Sequence, residues 1–128
     1  VTIAKNNMET AKYWVKSESS ISIKELDIVE KRDEINKSDV IIMNPPFGTK
    51  KKGADSEFLQ VAFGLADVIY SFHKTITAGF LREMSTRAGF TVSHEWHFPG
   101  FRIRKSHQNH KKKLHTIDVT VFRFVKRA

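Results

Sequence analysis

Val40-Ile41-Ile42-Met43-Asn44-Pro45-Pro46-Phe47 is the stretch on which the fold turns. A continuous apolar run of this length, cut off abruptly, reads as a strand buried on both faces of a parallel sheet. The prolines stop it, because neither can donate a backbone hydrogen bond. A strand over 39–43 is therefore expected. Asn44 and the residues after it fall just past its carboxyl end, where open α/β sheets bind their ligands.

Upstream, Val1, Ala4, Met8, Ala11 and Val15 recur at helical spacing, with Lys5, Asn6, Glu9 and Lys12 on the wet side. The periodicity is already running at residue 1 with no capping residue before it, so the chain is expected to begin inside a helix. After the polar break Ser17 to Ser20, Ile21, Ile23 and Leu26 alternate over a short strand ending at Asp27. Residues 30–38 have the composition of a solvated turn. Downstream, Phe58, Leu59, Ala62, Leu65 and Ala66 mark a helix with Asp55 as its cap, and Val68 to Tyr70 a short strand. Thr77 caps a further helix carrying Phe80, Leu81, Met84 and Ala88, which Gly89 closes in a left-handed turn. Val92, Trp96 and Phe98, then Ile117, Val119 and Val121, alternate with polar residues. They predict two long strands joined as a hairpin by a basic loop from Pro99 to about Leu114. Strands alternating with helices and closing on a hairpin make an α/β sheet, mostly parallel with an antiparallel terminal hairpin.

Composition bounds the function. With 128 residues, 40% apolar and 28% charged, the chain holds one domain and a real core. Lys and Arg number 22 against 14 Asp and Glu, and the net charge of +8 favours a polyanionic partner, nucleic acid first. The absence of cysteine removes disulfides, thiolate zinc sites and cysteine nucleophiles. There is neither a secretory apolar segment nor an apolar run near eighteen residues, so a cytoplasmic protein without membrane association is expected.

The residue types at 44–47 suit one chemistry. An exocyclic amino group on a planar base is a poor nucleophile, because its lone pair is delocalised into the ring. Two acceptors that hold its hydrogens favour tetrahedral character at nitrogen. The Asn44 side-chain oxygen and the Pro45 carbonyl supply such a pair, with Pro45-Pro46 fixing their separation. Phe47 would stack on a base taken out of its helix. Beside this motif lie Lys50, Lys51 and Lys52, and the hairpin loop carries Arg102, Arg104, Lys105, Lys111, Lys112 and Lys113, all candidates for RNA phosphates. His94 and His97 point to opposite faces of a strand and make no metal pair. No metal site is expected. His73 reads as a surface residue at a helix entry, and Trp14 and Trp96 as packing residues.

Ile41 to Lys50, then Gly53-Ala54-Asp55, Tyr70-Ser71-Phe72-His73-Lys74, His110 to Lys113, Ile117-Asp118-Val119 and Phe122-Arg123-Phe124, together resemble one methyltransferase-like family, whose eukaryotic member methylates an adenine of small-subunit ribosomal RNA. The resemblance implies the C-terminal part of a Rossmann-like methyltransferase sheet, S-adenosylmethionine as cofactor, and transfer to an adenine amino nitrogen. It makes Asn44, Pro45, Pro46 and Phe47 catalytic. It places Asp27 and Ile28, with Asn44, against the cofactor. It further implies a small zinc-binding activator on the edge strand matching 21–26, where Ser20-Ile21-Ser22-Ile23 carries no charge or proline to guard the edge. The family's glycine-rich cofactor loop has no counterpart, since no glycine precedes Gly48. Residues 1–128 are thus expected to be one incomplete methyltransferase domain without its N-terminal cofactor-binding strands, inactive, and unstable or oligomeric alone. Two other readings compete. One is a non-catalytic basic RNA-binding module, and the other is methylation of a protein glutamine amide, against which Phe47 and the basic loop both speak.

Overall fold

The computed structural model describes residues 2–15, 20–47, 53–104 and 114–128. The helical periodicity at the start becomes helix α1, Thr2–Val15. The turn composition near residue 30 becomes a short 3-10 turn, Arg32–Glu34, and the apolar run becomes strand β1, Ser38–Met43. Then follow α2 at Ala54–Phe63, β2 at Ala66–Lys74, α3 at Ala78–Arg87, β3 at Phe90–Arg104 and β4 at Leu114–Lys126.

The four strands form one sheet in the order β1-β2-β4-β3. β1 pairs with β2 in parallel, Ser38 opposite Ala66 and Met43 opposite Ser71. β4 pairs antiparallel with β2, Ile69 opposite Phe124, and antiparallel with β3, Trp96 opposite Val121. β1, β2 and β3 therefore share one direction, and β4 alone runs against them. The expectation of a mostly parallel sheet is met only in part: one ladder is parallel and two are antiparallel. The hairpin return inserts β4 between two strands that run the same way, which converts one would-be parallel contact into two antiparallel ones.

Alternation sorts the side chains onto two faces. Ile41 and Met43 of β1, Ile69 of β2, Phe122 and Phe124 of β4 and Phe90 and Val92 of β3 meet Leu59, Ala62, Phe63, Leu81 and Met84 from α2 and α3. The Phe63 ring lies 4.5 Å from Phe90 and edge-on to Phe124 at 5.5 Å. Each fully buried side chain of this size contributes on the order of 1.5–3 kcal/mol.

Four local expectations are corrected. Residues 20–26 form no strand, since a strand exists only in a ladder and these residues have none. The activator expectation loses its physical premise with it. β1 is not buried on both faces: Val40 and Ile42 are 48% and 75% exposed, because α2 and α3 cover one face only. Ala66 begins β2 instead of ending α2. Gly53, at φ 82°, occupies the cap of α2, and Asp55 lies inside its first turn. Gly89, at φ 86°, follows α3 in the left-handed conformation expected of it.

Candidate active site

β1 stops at Met43, opposite Ser71, while β2 continues through Phe72, His73 and Lys74. Asn44-Pro45-Pro46-Phe47 thus leaves the sheet at its carboxyl edge, as the sequence predicts. Pro45 is buried, Phe47 is half-buried, and Asn44 and Pro46 are exposed. A buried proline with fixed φ holds the chain while Asn44, one residue earlier, stays open to solvent. The carboxamide oxygen of Asn44 and the carbonyl of Pro45 are acceptors from adjacent residues, so little backbone freedom separates them.

Asp27 and Ile28 lie in the turn before the 3-10 segment. One Asp27 carboxylate oxygen accepts the amides of Val29 at 3.0 Å and Glu30 at 3.1 Å, and the Asp27 carbonyl accepts that of Lys31 at 2.9 Å. That carboxylate builds its own turn first. Tested against S-adenosylmethionine, the described residues offer the exposed carboxamide of Asn44 at the carboxyl end of β1, where the methyl group would be transferred. They offer no glycine turn for its methionine and ribose.

Behind the motif is a group that sequence reading missed. His73 is fully buried on β2, its Nδ1 3.1 Å from Asp55 Oδ2 and its Nε2 2.6 Å from Ser71 Oγ. Asp55 is 7% exposed and Ser71 fully buried. Burial holds the imidazole below its ordinary value, against the opposing hydrogen bond and charge of Asp55. The lowered value favours the neutral imidazole. A carboxylate only accepts, so Nδ1 donates to Asp55 and Nε2 accepts from the Ser71 hydroxyl. The surface reading of His73 fails because β2 runs past Tyr70. Counting two and four residues on from Ile69 puts Ser71 and His73 on its buried side.

At the same edge, Lys74, Thr75, Ile76, Ile117 and Asp118 line an open recess of about 360 Å³ at the foot of the hairpin. Asp118 Oδ1 accepts the amide of Gly100 at 2.9 Å, which ties β3 to β4 beside the shift in register between Phe98 and Phe101. Arg102 is exposed on β3 opposite Thr116. Arg104 is opposite Leu114 in the ladder. Lys50, Lys51, Lys52, Lys105, Lys111, Lys112 and Lys113 lie outside the described residues. His94 stacks on Trp96 at 5.4 Å, whereas His97 Nδ1 meets Thr120 Oγ1 at 3.0 Å, so the two histidines do occupy opposite faces. Trp96 is 41% exposed, on the face opposite α2 and α3, and stacks on Tyr70 at 6.4 Å; it packs at the surface and not in the core. No helix among the described residues is long and apolar enough to cross a membrane.

The mixed α/β sheet, with residues 44–47 at the carboxyl end of a parallel strand, shares the Rossmann-like methyltransferase fold of its structural neighbours. A solved structure described as a candidate RNA methyltransferase of Pyrococcus horikoshii superimposes with a TM-score of 0.66 at 39% identity, over 76% of this chain and 48% of that one. The M1.HpyAVI–SAM complex, 16% identical, shares the fold with a TM-score of 0.51 over 79% of this chain and 51% of its own. The Drosophila melanogaster rRNA N(6)-adenosine-methyltransferase Mettl5 is 39% identical over 88 residues, 67% of this chain and 41% of that protein. The chain belongs to the METTL5-like methyltransferase family. It spans 39%, 41%, 43% and 59% of the length of four curated relatives it matches. No family profile matches it.

Proposed function

We propose that this chain is the acceptor-side part of an enzyme that methylates the exocyclic amino nitrogen of an adenine in RNA, ribosomal RNA first, with S-adenosylmethionine as donor. The single observation that carries the reading is the exposed Asn44 held over a buried Pro45 at the carboxyl end of β1. The cofactor, when bound, supplies an electrophilic methyl group. The chain's own residues do the rest. Asn44 Oδ1 and the Pro45 carbonyl accept the two amino hydrogens, which frees the nitrogen lone pair from the ring. Pro46 keeps the two acceptors at fixed separation, and Phe47 stacks on the displaced base. Asp27 and Ile28 are proposed cofactor contacts on the family resemblance alone.

Arg102, with Lys50 to Lys52, Arg104, Lys105 and Lys111 to Lys113, is proposed to hold RNA phosphates. Reversing the charge of Lys111, Lys112 and Lys113 should weaken RNA binding and lower its salt slope by somewhat under one unit for each phosphate no longer neutralised.

The test is incubation of the intact protein with S-adenosylmethionine and unmodified ribosomal RNA, followed by nucleoside mass spectrometry. N6-methyladenosine formed by the wild type and lost in Asn44→Ala supports the reading. RNA binding without methyl transfer favours a basic binding module, and methylated glutamine in place of adenine would move the substrate to protein.

A further inference from the structure

We propose that Asp55, His73 and Ser71 form a positioning clamp that fixes the Asn44 segment from both of its ends, a role that rests on the methyl-transfer reading above. Ser71 is the ladder partner of Met43, the residue immediately before Asn44. Asp55 lies in the first turn of α2, on the C-terminal side of the motif in sequence. His73, between them on β2, binds both, at 2.6 Å and 3.1 Å. One imidazole therefore ties α2, through Asp55, to β2, the strand whose Ser71 pairs by backbone with Met43 of β1.

The order of groups is that of a hydrolase triad, and burial decides against that use. Ser71 and His73 have no solvent exposure, and no substrate carbonyl can reach a hydroxyl in that position. Every buried side-chain nitrogen and oxygen among the described residues has a partner, so the network is complete as it stands. The Gly53 cap gives Asp55 its place. With φ at 82° and its carbonyl accepting the amide of Glu57 at 3.0 Å, Gly53 turns the chain so that the second residue of α2 faces β2. The first helical turn also favours a carboxylate, because its amides are unpaired and the helix dipole is positive there. The clamp works through two directional hydrogen bonds. It touches no reacting atom; it acts through the position of Asn44.

Displacing a catalytic group by about 1 Å costs on the order of a hundredfold in rate. In the intact protein, Asp55→Ala should therefore lower kcat by on the order of tenfold to a hundredfold, with KM for S-adenosylmethionine unchanged. Asp55→Asn keeps an acceptor for Nδ1 and should restore most of the rate. Ser71→Ala, which removes one hydroxyl from a packed site, should give a smaller loss of kcat with the same unchanged KM. A second readout needs no activity: the side-chain amide resonances of Asn44 by nuclear magnetic resonance. They should broaden in Asp55→Ala and sharpen again in Asp55→Asn. If wild type transfers no methyl group, the functional reading falls while the Asn44 resonances still decide the clamp. Unmoved resonances in both Asp55→Ala and Ser71→Ala, or a loss confined to KM, overturn the clamp and leave the three residues as core packing.

Discussion

The two faces of the sheet are built from the same strands and have opposite fates. On one, Ile69, Phe122 and Phe124 are wholly buried beneath α2 and α3. On the other, Ile42, Trp96 and Phe98 remain 75%, 41% and 48% exposed. Their hydrophobicity is similar, so what separates them is the covering layer. A strand's period of two gives each face an apolar set. On the open face only the central strand β4 buries its members, Val119 and Val121, beneath cross-strand neighbours such as Trp96 and Phe98, while α2 and α3 bury the set on the other face. The polar residues follow the same division. On the covered side, Ser71, His73 and Thr120 are buried and partnered; at the carboxyl edge, where both faces end, Asn44 is left open.

The sharpest way to break this comparison is a matched truncation. Phe124→Ala should cost about 3–5 kcal/mol, since it empties a site walled by Phe63 and Phe122. Phe98→Ala should cost under about 1 kcal/mol. Equal shifts in urea denaturation midpoint would mean that the open face is packed in solution.

At the edge between the faces, Asn44→Ala should leave stability alone and remove about 2.7–4 kcal/mol of transition-state stabilisation, a loss of roughly a hundredfold to a thousandfold in turnover. Single-turnover methyl transfer measures it. Retention of more than about a tenth of the rate, a change under about 1.4 kcal/mol, would strip Asn44 of its role.

His73→Leu leaves the buried Asp55 and Ser71 without their partner and should cost about 1–3 kcal/mol. It should also change the pH dependence. The folded protein holds His73 below the ordinary imidazole value of 6.5, so the unfolded chain binds the proton more readily. The corresponding stability is present above 6.5 and is lost as pH falls from there through the lowered folded value. Unfolding free energies followed from about pH 7.5 down to about pH 5 should show that slope in wild type and a shallower one in His73→Leu.

The smallest effect belongs to the rim. Arg82 donates to both oxygens of Glu95, from Nε at 3.0 Å and Nη2 at 2.6 Å, and these bonds hold the Glu95 carboxyl below its usual range. The two side chains are 45% and 24% exposed, so solvent screens the pair. Arg82→Ala should cost under about 1 kcal/mol, less at high salt. A larger loss by thermal unfolding would show that this contact between α3 and β3 belongs to the core.

The sequence by itself determined the features that neighbouring residues dictate. The period of α1, the stop of β1 at Asn44-Pro45, the left-handed Gly89 and the alternation of β3 and β4 are local consequences of sterics and missing donors, readable without a partner. The proposed acceptor pair rests on the sequence for the same reason, being two adjacent residues. Tertiary structure alone decided what depends on a distant segment. Residues 20–26 alternate like a strand yet form none, because a ladder needs a neighbour. β4 lies between β2 and β3, so two of the three ladders are antiparallel where a mostly parallel sheet with an antiparallel terminal hairpin is expected from the sequence. Asp55 and His73, 18 residues apart, meet only because α2 folds back on β2. A helix cap and a surface histidine are the ordinary readings of such residues. Long-range packing made them a buried pair, since burial is a property of the assembled layers and not of the residue or its neighbours in the chain.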